Sequence, residues 1–283
     1  MGGFKAIVFD GCQIYSPKDA KAENGQVTQG GAVYKGEAVI GLTEYYPLHV
    51  CNVQVSTANC DDILGNGTAS YDIDKHVLTL DNFRYEPEDF IQGVALGGGL
   101  ENVTIVLKGD NFIKTGYFGI SMTCNTTITG TGTLTIQSNS SAMVVNGVQL
   151  TIDGQPTIML DGDAGLSGFS EWPGYVKFIS SNVKIKGGFV NFAAVEFEGC
   201  SIKEPQGIEL KDLNYVLNDE VYKGEITIAP GTSGIGGTHA DRRVKDVIYH
   251  SLSGCVAAAP KNGIYLKTTT YSDGTKETVK VVM

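Results

Sequence analysis

The chain has 283 residues, of which 37 are glycine and only 8 are proline, and its formal net charge is −10 at pH 7. Threonine and valine are frequent and no amphipathic helical window stands out, which indicates an all-β protein. The acidic balance argues against a nucleic-acid partner, which would need a basic face. No run of about 18 or more apolar residues could span a membrane as a helix.

Residues 4–40 align without a gap to residues 192–228. Thirteen of the 37 aligned positions are identical, and Val33–Glu37 repeats as Val221–Glu225. This predicts a 188-residue module that is itself repeated. We expect residues 1–45 to be the tail of one copy, residues 46–232 to be one complete copy, and the chain to come from a longer protein.

Strand-like segments open the complete copy. His49–Val55 alternates apolar and polar residues as a strand does. Ala69–Tyr71 and Val77–Leu80 flank an Asp-Ile-Asp-Lys turn, which predicts a β-hairpin. We expect this hairpin to cap one end of the structure that follows, because uncapped strand edges invite aggregation.

The same short strand recurs through residues 102–161. Its central isoleucines, Ile105, Ile128 and Ile152, recur once in about two dozen positions. Two further series are staggered between them with nearly the same period: Val94, Ile120, Met143 and Leu166, and then Leu134 and Ile158. Three series that share one period predict coils of three strands each, in which each series stacks as an inward column.

The predicted fold is therefore an all-β, right-handed parallel β-helix, with handedness taken from the preference for right-handed crossovers. Glycines such as Gly109, Gly130 and Gly154 follow the strands, where a positive φ is needed. Amide side chains that can hydrogen-bond along a stack are expected at one turn: Asn102, Asn125, Gln149 and Asn182. The alternative is an up-and-down barrel or a sandwich, which are also rich in short strands.

Three phrases of the complete copy are distinctive, namely residues 57–72, 77–82 and 126–136. They resemble phrases of secreted parallel β-helix proteins from gut Bacteroidetes and clostridia, which are often described as carbohydrate-binding-like. The resemblance covers about residues 46–200. Because its motifs build coils, it implies the solenoid fold strongly, and a carbohydrate ligand only as an expectation.

The period breaks within residues 163–186. Ile152 and Ile185, read as the third and fourth central isoleucines, are separated by a longer stretch of chain than the earlier pairs. The extra residues fall around residues 168–178, which contain the only tryptophan, Trp172. Insertions in a solenoid project from one face and often carry the binding function.

Aromatic rings near this break could stack on sugar rings. The predicted platform is Trp172 with Tyr175, joined by Tyr117 and Phe118. The alternative is that Phe169 and Phe178 belong to the core and that Trp172 only covers the break.

Beyond the repeat, residues 233–246 are a linker by composition. Residues 247–283 form a separate segment with Gly-Ile-Tyr and a Val-Val near the end. They resemble the short β tails of secreted Bacteroidetes proteins, some of which are sorting signals for outer-membrane export. The resemblance implies a secreted or surface-held bacterial protein. A small β cap without an addressing role is the alternative.

One acidic cluster, Asp153, Asp161 and Asp163, offers oxygen ligands of the kind that calcium takes, although solvated turns explain these residues more simply. No other metal or cofactor is predicted. The six cysteines and four histidines show no metal-ligand or triad spacing, so the cysteines leave the compartment open.

The sequence predicts no catalytic residue. A polysaccharide lyase needs a cationic base beside calcium, but the complete copy holds one arginine, Arg84. A glycosidase needs converging carboxylates. The leading hypothesis is a non-catalytic surface or secreted module that binds a glycan (a polysaccharide or a host glycan) or host material. A spacer without a ligand comes second, and a polysaccharide lyase or hydrolase third.

Overall fold

The computed structural model describes residues 5–17, 20–87, 91–231, 244–251, 256–257, 264–271 and 276–282. All regular structure in these ranges is β, and they contain no helix that is long and apolar enough to cross a membrane. The chain divides into two compact units, residues 1–231 and residues 232–283. Most of the predicted linker lies outside the described residues.

The first unit begins with two small antiparallel sheets. Their strands are β1 (Cys12–Ser16), β2 (Lys21–Glu23), β3 (Gln26–Gln29), β4 (Ala32–Val33) and β5 (Val39–Leu42). Strand β1 pairs with β5, and β2, β3 and β4 form a meander. Three strands follow: β6 (Tyr45–Val50), β7 (Val53–Ser56) and β8 (Ala69–Asp72). The strand expected over residues 49–55 is instead a hairpin, because Cys51 and Asn52 both adopt positive φ between β6 and β7.

Residues 77–190 form a parallel β-solenoid of five coils with three strands in each. The fifteen strands are β9 (Val77–Asp81), β10 (Arg84–Tyr85), β11 (Val94–Leu96), β12 (Asn102–Lys108), β13 (Asp110–Thr115), β14 (Ile120–Met122), β15 (Asn125–Gly130), β16 (Thr133–Ser138), β17 (Ser141–Val145), β18 (Gln149–Asp153), β19 (Thr157–Asp161), β20 (Ala164–Ser167), β21 (Gly174–Ile179), β22 (Asn182–Lys186) and β23 (Phe189–Val190). The predicted parallel β-helix is confirmed.

Three sheets run along the solenoid. Sheet I contains β9, β12, β15, β18 and β21, sheet II contains β10, β13, β16, β19 and β22, and sheet III contains β11, β14, β17, β20 and β23. Within each sheet these strands pair in parallel, so each strand lies directly over its counterpart one coil earlier. Such pairing requires apolar side chains to recur once per coil.

The predicted inward columns are confirmed residue by residue. Ile105 pairs with Ile128, and Ile128 with Ile152, and all three are fully buried. The second series stacks in sheet III and the third in sheet II, each in the expected register. Each coil therefore closes on one continuous apolar core.

Two details of the register were predicted incorrectly. Ile185 pairs with Leu160 in sheet II, and the column of Ile152 continues instead to Phe178 in the next coil. A phenylalanine replaces the isoleucine of this strand, so counting isoleucines skipped β21. For the same reason Asn182 starts a strand of sheet II and lies opposite Thr157, away from the amide stack.

Antiparallel strands close both ends of the solenoid. Strands β8 and β9 form the predicted hairpin cap, with Tyr71 opposite Leu78. The β6–β7 hairpin closes sheet III at the same end. At the other end, after β24 (Phe192–Glu198), come β25 (Cys200–Glu204), β26 (Glu209–Lys211), β27 (Asn214–Leu217), β28 (Glu220–Val221) and β29 (Ile226–Pro230). Strand β29 pairs antiparallel with β22, and β25 with β29.

The segment that recurs at a spacing of 188 residues has the same strand pattern in both places. The pairing of β1 with β5 recurs as β25 with β29, with a register irregularity at the same place in each. The β2–β3–β4 meander recurs as β26–β27–β28. The turn residues Asn24 and Gly25, with φ of 51° and 71°, correspond to Asp212 and Leu213, with φ of 47° and 67°.

The second unit contains one antiparallel sheet in the order β31, β30, β32, β33. Its strands are β30 (Val244–Ser251), β31 (Val256–Ala257), β32 (Ile264–Tyr271) and β33 (Lys276–Val282).

Candidate functional site

The outer face of sheet I carries two columns of neutral polar side chains. In the first, Asn102 pairs with Asn125, and the backbone N–H of Gln149 donates to Asn125 Oδ1 at 3.0 Å. In the second column, Thr104, Thr127 and Thr151 lie in register. These residues alternate along each strand with the buried side chains, so the pleat that builds the core also places them outward. We call these six residues the polar ladder.

The polar ladder lines a shallow groove of about 180 Å³. The Gln149 side-chain amide donates to Thr151 Oγ1 at 3.3 Å, which links the two columns within one coil. None of the six ladder side chains carries a charge. The groove therefore offers amide and hydroxyl groups as donors and acceptors without an ionic partner.

Tyr175 extends the amide column by one coil, because it pairs with Gln149 in sheet I. Its backbone N–H donates to the Val148 carbonyl at 3.0 Å, and 48% of the residue's surface is exposed. An aromatic ring thus stands at the end of the polar ladder, on the same face.

Trp172 lies beside this end of the ladder, in the six-residue loop between β20 and β21. The loop is held to the preceding coil by a hydrogen bond of 3.1 Å from the Gly147 N–H to the Trp172 carbonyl. Gly147 has a φ of +66°, and a Cβ there would lie 3.2 Å from the Trp172 Cβ. Glycine therefore permits this close approach, and Trp172 remains 60% exposed.

The other two predicted ligand-binding residues lie elsewhere. Tyr117 and Phe118 occupy the turn between β13 and β14, and their rings stack with centroids 4.0 Å apart. That turn joins sheets II and III, whereas Trp172 lies between sheets III and I. Tyr117 and Phe118 therefore form a separate aromatic pair. Phe178 is fully buried in the core, whereas Phe169 is exposed.

Charged side chains border the ladder. Asp153 lies on the same face of β18, two residues after Thr151. Lys177 pairs with Thr151 in sheet I, and its Nζ lies 2.8 Å from Glu198 Oε2. The hydrogen bond with Glu198, and then the charge of that carboxylate, raise the pKa of Lys177 above its ordinary value. The cation beside Tyr175 is thus already paired.

The three aspartates proposed for calcium do not assemble. Asp153 ends β18, whereas Asp161 lies at the far end of β19 and forms an ion pair of 2.9 Å with Lys186. Asp163 lies in the following turn, and its carbonyl accepts a hydrogen bond from Lys223. Among the described residues, no three His, Cys, Asp or Glu side chains come together to hold a metal ion.

The described cysteines are free thiols, and the described histidines belong to strands or turns: His49 lies in β6, His76 in the β8–β9 turn and His250 in β30. The sequence predicts only one of the two columns of the polar ladder. Its signal is the Asn-x-Thr or Gln-x-Thr that begins β12, β15 and β18; the sequence prediction included the amides and not the threonines.

Comparison with protein-family models, with curated proteins and with solved structures finds no match to this chain.

Proposed function

We propose that this protein is a non-catalytic, extracytoplasmic β-solenoid that binds a glycan along the polar ladder. The observation that carries the proposal is the placement of two exposed aromatic residues, Trp172 and Tyr175, at the end of a row of neutral amides and hydroxyls. We also propose that the protein is located outside the cytoplasm, and the resemblance to secreted solenoids supports this location.

The aromatic residues suit the C–H face of a sugar ring, and the polar ladder suits the hydroxyl groups around its edge. Aromatic rings stack against the C–H face of a pyranose by apolar contact. Amide and hydroxyl side chains exchange hydrogen bonds with the sugar hydroxyls around the ring edge. Successive coils lie about 4.8 Å apart, so the ladder repeats its donors along an axis, as a chain of sugars repeats its hydroxyls.

The charge distribution favours a neutral glycan. The ladder has no cation to pair with a uronate or a sulfate, and Lys177, which lies opposite Thr151, is paired with Glu198. The formal net charge of −10 would also repel a polyanion at low salt. We therefore expect neutral polysaccharides to bind and acidic ones to bind weakly.

The test is a glycan array followed by calorimetry with the best neutral oligosaccharide. Trp172→Ala and Tyr175→Ala should each weaken binding about tenfold, since an aromatic contact contributes roughly 1.4 kcal/mol or more. Tyr117→Ala is the matched control, because Tyr117 is also exposed but lies at a different corner. Equal binding by all four proteins would refute the site, and no binding to any glycan would refute the function.

The repeat supports a second candidate, a spacer that holds other domains apart. Strands β1–β5, which precede the solenoid, recur after its last coil as β25–β29, as expected of modules joined in a row. A spacer has no ligand, so a silent glycan array would favour it.

A further inference from the structure

The two copies of the repeated segment have very different surroundings. We call residues 5–42 cap repeat 1 and residues 193–230 cap repeat 2. Cap repeat 2 sits on the last coil of the solenoid, where Ile228 pairs with Val183 and is only 1% exposed. In cap repeat 1 the corresponding residue is Ile40, which is 52% exposed.

Polar contacts also hold cap repeat 2 to the coil. Glu225 forms an ion pair of 3.0 Å with Lys184, and Lys223 Nζ donates to the Asp163 carbonyl at 2.8 Å. Both residues belong to the five-residue phrase that is identical in the two copies, where they correspond to Glu37 and Lys35. Both counterparts are exposed in cap repeat 1. The most similar part of the repeat is thus the part that contacts the coil.

The inner faces match as well. In cap repeat 2 the ring of Phe197 stacks on Phe178 at 5.5 Å, and Cys200 donates to the Phe178 carbonyl at 3.3 Å. The counterparts of Phe197 and Cys200 are Phe9 and Cys12. These line an open groove of about 850 Å³ in cap repeat 1, with residues 57–62 on its other side.

Strand pairing differs in the same way. Residues 192–198 form β24, which pairs in parallel with β21 of the coil. The aligned residues 5–10 form no strand, although their exposure alternates as in a strand. Strand β5 pairs only with β1 within the described part of the chain, whereas its counterpart β29 pairs on both sides. In cap repeat 1, the residues that correspond to the coil-contacting face of cap repeat 2 are therefore exposed, and within the described part of the chain no coil packs against them.

We propose that cap repeat 1 is a docking surface for the last coil of the solenoid in a second copy of this chain. In the docked state the free edge of β5 pairs with β22 of the second molecule, Ile40 covers its Val183, and Glu37 faces its Lys184. Residues 5–10 become a strand beside its β21.

In each molecule the positions beside β21 and β22 are already filled by β24 and β29 of its own cap repeat 2. That cap follows directly on β23, so its effective concentration at the last coil is about millimolar or above. The intact chain is therefore expected to stay monomeric at low concentration. Weakening cap repeat 2 should free the last coil for cap repeat 1 of another molecule. Head-to-tail contacts of this kind join molecules into dimers and longer species.

The test is sedimentation velocity on the full chain over a wide range of concentration. Ile228→Asp, which places a charge against Val183, should convert the monomer into dimers and longer assemblies. Adding Ile40→Asp should return the protein to a monomer. The matched control adds Val8→Glu to Ile228→Asp, because Val8 is 84% exposed and its counterpart, Glu196, faces away from the coil. This control should remain assembled.

Two outcomes would overturn the proposal. One is an Ile228→Asp protein that is folded by circular dichroism but monomeric at every concentration. The other is assembly that persists unchanged with Ile40→Asp, or that Val8→Glu removes equally well, since either result would indicate non-specific association. If Ile228→Asp unfolds the chain, Ile228→Ala takes its place in the same comparisons.

Discussion

The side-chain Oδ1 of Asn111 accepts a hydrogen bond of 3.0 Å from the backbone N–H of Phe83, one coil earlier. Asn111 is only 2% exposed, and it stands at the head of a sheet II column that continues with Leu134 and Ile158. Its Nδ2 donates to the carbonyls of Lys108 and Thr133, each at 3.0 Å. One buried amide thus satisfies backbone groups of three successive coils.

Replacing this amide by a larger apolar group should weaken the fold, although it would complete the apolar column. We expect Asn111→Leu to lower the free energy of unfolding by about 3–5 kcal/mol, because it leaves buried backbone groups unpaired. Ile158→Leu, in the same column, should cost less than about 1.5 kcal/mol. Urea denaturation measures both, and a neutral Asn111→Leu would show that the amide is dispensable.

The central column of sheet I should be equally sensitive to lost volume. Ile128 is fully buried between Ile105 and Ile152, so Ile128→Ala should cost about 2–5 kcal/mol. Its neighbour Thr127 points outward, and Thr127→Ala should change stability by no more than about 0.5 kcal/mol. Similar losses for the two variants, compared by urea denaturation, would contradict the assigned register.

Gly187 joins β22 to β23 at a point where no side chain fits. Its φ is +98°, and a Cβ there would lie 1.6 Å from the Gly162 carbonyl oxygen in the preceding coil. Gly187→Ala should therefore destabilise the solenoid by more than about 1 kcal/mol. Gly98→Ala is the control, since the nearest atom to its Cβ would be 3.9 Å away. Thermal unfolding followed by circular dichroism should give Gly187→Ala a clearly lower midpoint temperature than Gly98→Ala.

Alkaline pH should weaken the fold through acids that burial keeps protonated, among them the half-buried Cys51 and the buried Tyr71 and Tyr215. Burial raises the pKa of the Cys51 thiol from its ordinary value of 9.0 to about 12, and that of the Tyr71 phenol from 10.0 to about 12. The folded state therefore holds protons that the unfolded state releases. The resulting stability is fully present below pH 9 and is lost as the pH rises towards about 12.

The check is the free energy of unfolding, measured in urea from pH 7 to pH 11. Cys51→Ala combined with Tyr71→Phe should flatten the decline above pH 9. The Tyr71 hydroxyl is buried without a hydrogen-bond partner among the described residues, so Tyr71→Phe alone should not destabilise the protein at pH 7. An unchanged alkaline slope in the double variant would refute the assignment to these two groups.

Much of the core could be read from the sequence, because inward and outward positions alternate within each strand and recur once per coil. The regular spacing of Ile105, Ile128 and Ile152 therefore correctly predicted that they stack in one column. Ile185 was misplaced, because the strand at Phe178 carries a different apolar residue and only pairing with the preceding coil shows which strand continues which column.

The candidate site was only partly readable. The aromatic residues Trp172 and Tyr175 could be identified in the sequence. Their position relative to the polar ladder depends on which residue of the preceding coil each one contacts, and the sequence does not show this. Gln149 lies opposite Tyr175, and Gly147 lies against Trp172. Tyr117 and Phe118 were grouped with them because spacing along the chain does not tell which corner of a coil a turn occupies.

The chain's own periodicity determined the three-strand coil, its inward columns and the 188-residue repeat, since each is a regular recurrence of side-chain type. Only the tertiary structure decided whether the first residues of each copy of the repeated segment form a strand. Residues 192–198 are a strand because β21 lies beside them and satisfies their backbone groups, whereas the aligned residues 5–10 have no such neighbour within the described part of the chain and form none. A strand is completed by its partner, so two similar sequences can differ in structure when only one of them has a coil to pair with.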